Sequence, residues 1–233
     1  MRLLAALAMV ATALAVPASA KPANLSREAK AQLLRAYSAC IAAKRPALVS
    51  QYLFDLEREQ HRDRYAVFAD RDCVEKAGYS DFHTMRASEP AISGAWSEQA
   101  LLRHDTAGLE VRFATLPPVG HARPISMAEF RPSGRLNREQ FAEMVAQNNG
   151  QRQLGLVAEC VARADPSRVR AIFGTMPETT GEAAALGALN AQLGKCVNAV
   201  SLRFRPDQLR TALAVNYLWL AAAADPSLKD KLF

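Results

Sequence analysis

Apolar residues recur every three or four positions along most of this chain, and runs of strict alternation are scarce. The clearest stretch begins at residue 151. Leu156, Cys160 and Arg163 share one face, flanked by Leu154, Val157 and Val161. That is helical spacing, and it stops at Asp165-Pro166. Asp165 is placed to cap a second helix, and Pro166 suits a first turn, where no amide bond is lost. Val169, Ile172 and Phe173 form the apolar stripe of that short helix, which Gly174 and Thr175-Met176-Pro177 end. Thr179 and Glu182 have capping-box spacing and open a third helix through Leu186, Leu189, Leu193, Cys196, Val197 and Val200. Pro206 opens a fourth, with Leu209, Leu213, Tyr217 and Leu220 as its stripe.

The same order occurs earlier in the chain. When residues 35–53 are laid on 155–173, Cys40 falls on Cys160, Pro46 on Pro166 and Val49 on Val169. Cys73-Val74 matches Cys196-Val197. Residues 85–102 lie on 202–219 without a gap, with Met85-Arg86 on Leu202-Arg203 and Ile92 on Leu209. Two four-helix units from an internal duplication are the expectation. Residues 106–136 between them are rich in proline and glycine. Leu109, Val111 and Phe113 alternate there, as a short strand would, and so does the stretch from Pro124 to Phe130. An ordered loop laid across the helices is the preferred reading. One extra helix follows, capped by Asn137 and stopped at Asn149-Gly150, and the tail after Ala224 is expected to be loose. The expected division is a leader at 1–20, a first helical unit at 21–105, the connecting loop at 106–136 and a second helical unit at 137–233.

Composition narrows the class. Half the residues are hydrophobic and only 7% are aromatic. Many of the apolar residues are alanine, the best helix former, so the fold class is all-α. The first residues read as a secretory signal peptide: Arg2, an apolar run from Leu3 to Val16, then Ala18-Ser19-Ala20 before Lys21. That run is short for a bilayer span of about 20 residues. No later segment is apolar enough to span, so the mature chain is expected in the periplasm or outside the cell. The net charge of +6 is mild and contains no long basic run, which excludes nucleic acid as the expected partner.

Four cysteines in an exported chain read as a disulfide framework. Three pairings are possible. Cys40–Cys73 with Cys160–Cys196 is favoured, because each unit then staples its own first and third helices. Buried free thiols are the competing reading. No C-x-x-C occurs and no histidine lies within a turn of a cysteine, so neither metal nor redox chemistry is indicated.

Catalytic signals are thin. His61-Arg62-Asp63 spells a kinase triplet without the rest of that signature. His104-Asp105 can orient a base, but no G-x-S-x-G nucleophile accompanies it. His83 and His121 sit in loops. Glu57/Glu59 and Asp70/Asp72 are two residues apart, a spacing that does not share a helix face. Arg203, Arg205 and Arg210, with Arg86 in the matching place, form a candidate patch for an anionic partner. Trp96, Tyr217 and Trp219 are expected in the core or between the units. No cofactor or metal motif is present.

Cys-Val, a proline-started short helix, Thr-Met-Pro with an acidic alanine-leucine helix, Cys-Val again, then "LRTALAVNYL" together resemble a group of exported bacterial proteins without assigned activity. The resemblance covers the second unit well and the first loosely. It implies a compartment and a helical fold, and no site. The expected function is a non-catalytic binding or structural role in the cell envelope, with a protein or envelope component at the seam between units. The alternative is an envelope-polymer hydrolase using His104, Asp105 and the central loop.

Overall fold

The structure is a computed structural model, and it describes residues 25–54, 70–78, 89–132, 134–197 and 204–233. The expected leader at 1–20, Glu57, Glu59, His61-Arg62-Asp63, His83, Arg86 and Arg203 lie outside the described residues. The fold is all-α: among the described residues there is no strand. The α-helices are α1 (Arg27–Lys44), α2 (Pro46–Phe54), α3 (Arg71–Lys76), α4 (Glu89–Arg103), α5 (Arg138–Ala164), α6 (Pro166–Phe173), α7 (Thr180–Gly187), α8 (Asn190–Cys196) and α9 (Pro206–Ala224). Short 3-10 helices occupy Ala107–Thr115, Met127–Glu129 and Pro226–Asp230.

Local chemistry sets the helix starts. Ser26 accepts from the Ala29 amide at 3.1 Å, Asp165 from Arg168, and Thr179 from Glu182. Asn137 and Gln140 form a reciprocal box at the head of α5. The two short helices α2 and α6 begin on Pro46 and Pro166, as the sequence signals.

The favoured cysteine pairing is the one observed. Cys40 on α1 is bonded to Cys73 on α3, with Cα atoms 5.5 Å apart. Cys160 on α5 is bonded to Cys196 on α8, with Cα atoms 5.8 Å apart. Lys44 adds a polar tie beside the first bond, donating to Asp70 at 2.9 Å and to Asp72 at 3.0 Å. These carboxylates reach one ammonium because Asp70 is the cap of α3 and lies outside its helical geometry. Burial and the nearby Asp70 charge push the Tyr37 hydroxyl up to about 12.

α4 and α9 form the most extensive helix pair, and each also packs on the first helix of its own half, α4 on α1 and α9 on α5. Their crossing is close. A β-carbon on Gly94 would stand 2.8 Å from the Thr211 side chain. Gly94 and Thr211 also fall on each other in the overlay of residues 85–102 on 202–219. Trp96, Leu213, Tyr217 and Leu220 are fully buried around the pair. Trp219 reaches across to the first half, its indole donating to the Leu53 carbonyl at 2.8 Å. The aromatic residues therefore pack the core and the junction, as expected. One hydrophobic cluster runs through both halves.

Several elements differ from the sequence reading. The extra helix does not stop at Asn149-Gly150 but continues as α5 to Ala164. The stretch after Thr179 is two helices, α7 and α8, separated by a turn at Leu189. Leu109 to Phe113 forms a 3-10 helix that inserts Phe113 into the core beside Tyr217, with ring centroids 5.0 Å apart. The tail is packed: Leu228 and Leu232 are buried, and the Lys229 ammonium lies over the Phe54 ring. The Ser50 hydroxyl donates to the Lys229 carbonyl.

Candidate functional site

Arg210, one member of the candidate basic patch, is buried. Its side chain is 4% exposed. Nε donates to Glu98 Oε1 at 2.6 Å and NH2 to Glu98 Oε2 at 2.8 Å, a bidentate pair. NH1 donates to Glu182 Oε1 at 3.0 Å and to the Thr175 hydroxyl at 3.1 Å, and NH2 also donates to the Thr175 carbonyl at 3.0 Å. Every guanidinium N–H thus has an acceptor. Burial works against the charge, but Glu98 and Glu182 outweigh it and hold Arg210 above its ordinary value. Arg35 on α1 donates to Glu98 at 2.7 Å, and the Glu178 amide donates to Glu182 at 2.6 Å. Glu178 itself has φ of 61°, strained for a residue with a β-carbon. Two arginines and two glutamates from α1, α4, α7 and α9 therefore bind the halves together. Arg210 cannot meet an external anion from here. The other described member of the patch, Arg205, is exposed and pairs with Asp207 at 2.5 Å.

The remaining candidates also serve the fold. His104 Nε2 lies 3.3 Å from the Leu232 carbonyl. Asp105 accepts from the Ala107 amide at 3.0 Å and starts the 3-10 turn. Beside them, Glu110 Oε1 accepts from the Tyr217 hydroxyl at 2.6 Å and from Arg170 at 2.7 Å. Burial and the Glu110 carboxylate both raise Tyr217 above a normal phenol. Among the described residues, no group of three or more histidine, cysteine and carboxylate side chains could hold a metal ion.

A different region meets the body through Leu116, Val119 and Leu154, which are half-buried against the core. Among the described residues from Ala114 to Leu154, none is buried. This arm consists of the first part of α5 and the chain that runs back along it. At 1.5 Å per residue the exposed part of α5 is roughly 25 Å long. Polar clamps hold the arm together in place of a core. Arg163 donates to the carbonyls of Phe113, Leu116 and Pro117 at 2.5, 2.8 and 2.6 Å. Glu159 accepts from the Val119 amide at 3.1 Å and from His121 Nε2 at 2.7 Å. His121 lies so close to α5 that a β-carbon at Gly155 would be 2.9 Å from its Nδ1. Asn149 both donates to and accepts from the Ile125 backbone, at 2.9 and 3.1 Å. Phe130 and Phe141 meet near the outer end with centroids 5.5 Å apart.

The clamp at Glu159 has a pH signature. Burial alone would raise this carboxyl, but His121, Val119 and Arg163 hold it below its ordinary value. A carboxyl that is more acidic folded than unfolded contributes fully above the unfolded value, about 4.3, and loses that contribution as pH falls through the folded one. Glu159→Gln is therefore expected to speed amide exchange at Val119 at neutral pH. The difference from the parent protein should shrink progressively below about pH 4. Equal exchange at neutral pH would show that the carboxylate does not hold the loop.

Comparison with protein-family models, curated proteins and solved structures finds no match. Among the described residues no helix is long and apolar enough to cross a membrane.

Proposed function

We propose that this chain is an exported helical scaffold, built from a doubled unit, with a non-catalytic binding or structural role in the cell envelope. The observation that carries the reading is the arm from Ala114 to Leu154, in which no described residue is fully buried, although Leu116, Val119 and Leu154 pack against the body. An ordered surface with no core of its own is a natural place for a partner. Two disulfides suit an oxidising compartment outside the cytoplasm. The recurring order of elements and the meeting of Gly94 with Thr211 support descent from one repeated unit, since a residue that touches its own counterpart lies on the axis relating two copies. The seam between the halves is filled by α4, α9 and the Arg210 network, so the contact surface is placed on the arm instead.

A hydrolase acting through His104 and Asp105 has less support, because both side chains are engaged by the backbone around them. Site-specific photocrosslinking in the native host tests the two readings. A crosslinker at Gln147 on the arm should give an envelope adduct, and one at Arg168 on the body should not. Equal labelling from both positions would overturn the arm as the contact surface. Turnover of an envelope glycan by the purified protein, abolished by His104→Ala, would overturn the non-catalytic reading.

A further inference from the structure

We infer that Met176 is an oxidation site: its thioether takes one oxygen atom from a hydroperoxide, and Arg35 holds the resulting sulfoxide against the buried ion network. This goes beyond the binding role proposed above and concerns the body of the molecule.

Met176 lies in the turn between α6 and α7. It is 45% exposed, against 38% for Met127, and Met144 is half-buried. Exposure alone does not set it apart, but its sulfur has a partner. Arg35 NH1 donates to Met176 Sδ at 3.4 Å, while NH2 of the same guanidinium donates to Glu98 at 2.7 Å. Among the described residues no other methionine sulfur accepts a hydrogen bond. Both sides of this contact are fixed. Gln99 donates to the Arg35 carbonyl at 3.0 Å, and Glu98 is gripped by Arg210. Across from them, Thr175 accepts from Arg210 through its hydroxyl and its carbonyl, and the Thr179 hydroxyl donates to the Met176 carbonyl at 2.7 Å. The thioether is thus the outermost link of the network that joins the halves.

A thioether sulfur is only a weak acceptor, and the bond to Arg35 leaves it a lone pair for reaction. That lone pair attacks the terminal oxygen of the hydroperoxide. The S–O bond forms as the O–O bond breaks, and the proton of the attacked hydroxyl passes to the departing oxygen. The leaving molecule is an alcohol or, from hydrogen peroxide, water. Sulfur is oxidised by two electrons and the peroxide is reduced by two. The product replaces a weak acceptor with a strong one, in a bond assisted by the guanidinium charge. Three rotatable bonds and an exposed position let the side chain bring the new oxygen onto NH1. Methionine oxidation disrupts cores, but Met176 is not part of the core cluster. A sulfoxide reductase restores the thioether, so the step is reversible.

The test is treatment of the folded protein with hydrogen peroxide, followed by peptide mass mapping and a thermal melt. Met176 should be converted to the sulfoxide ahead of Met144. Met176→Leu, carried through the same treatment, gives the contribution of the other methionines. Relative to that control, oxidation of the parent protein should raise the melting midpoint by about 2–4 °C, the shift expected for one added charge-assisted hydrogen bond in a chain of this size. Arg35→Gln leaves Glu98 paired with Arg210 and should abolish the gain. A parent midpoint that stays level or falls on oxidation, after the Met176→Leu control is subtracted, would overturn the clasp. So would a gain that survives Arg35→Gln. Met176 left intact while Met144 is converted would overturn the site itself.

Discussion

Arg210→Met is expected to cost about 3–5 kcal/mol in urea denaturation, because it leaves Glu98 and Glu182 buried without their shared counter-ion. Single domains are stable by only about 5–15 kcal/mol, so this one change would leave the fold marginal. Arg35 offsets part of the loss at Glu98, since it approaches from the more exposed side. Among the described residues Glu182 has no second cation within salt-bridge distance, and it loses more. The contrast is with Arg205→Met, which removes an exposed pair and should shift stability by no more than about 0.5 kcal/mol. Replacing Arg210, Glu98 and Glu182 together by apolar residues of similar volume should recover most of the loss. A buried ion pair is often no more stable than well-packed hydrophobic side chains. Equal stability of the Arg210→Met and Arg205→Met proteins would show that the halves are not held by this network.

Removing Cys40–Cys73 by a double alanine substitution should cost roughly 4 kcal/mol in the chain-entropy model. The same model assigns nearly the same figure to Cys160–Cys196, because the sequence separations are 33 and 36. The surroundings separate the two bonds. Cys73 is fully buried and Cys40 half-buried, whereas Cys160 is exposed at the surface of α5. α8, which carries Cys196, has no buried residue of its own. A small dithiol should therefore open Cys160–Cys196 in the native protein, and reach Cys40–Cys73 only through a larger opening of the fold. Timed alkylation and peptide mass mapping would follow both bonds. Reduction of the two at one rate, or of Cys40–Cys73 first, would contradict this account.

The sulfur pairing and the all-helical class were legible because each depends on features that recur at fixed spacing. Capping residues and prolines marked most helix starts for the same reason. What escaped was anything set by distant partners. Asn149-Gly150 looks like a helix stop when only local propensity is weighed. In the fold, Asn149 turns its amide sideways to hold Ile125, and the helix continues beneath it. Arg210 looked like part of a basic surface because Arg203 and Arg205 precede it. One signal pointed inward: Arg210 stands three and seven residues before Leu213 and Tyr217, on their stripe. Its partners Glu98 and Glu182 lie far away in sequence, and no local spacing relates them. The expected loose tail is packed because Leu228 and Leu232 find an apolar surface that the sequence does not show. Residues 106–136 were expected as an ordered loop laid across the helices and the stretch after Asn137 as an extra helix, and their pairing into one arm became visible only in the fold, where no described residue from Ala114 to Leu154 is fully buried.

That separation has an evolutionary consequence. Substitutions in the core must satisfy many neighbours at once, but those in the arm answer to a handful of clamps at Glu159, Arg163 and Asn149. The outer segment can drift, lengthen or acquire new recognition chemistry while the sulfur-braced body keeps its shape. A change of partner would then require few mutations and would put little of the fold at risk.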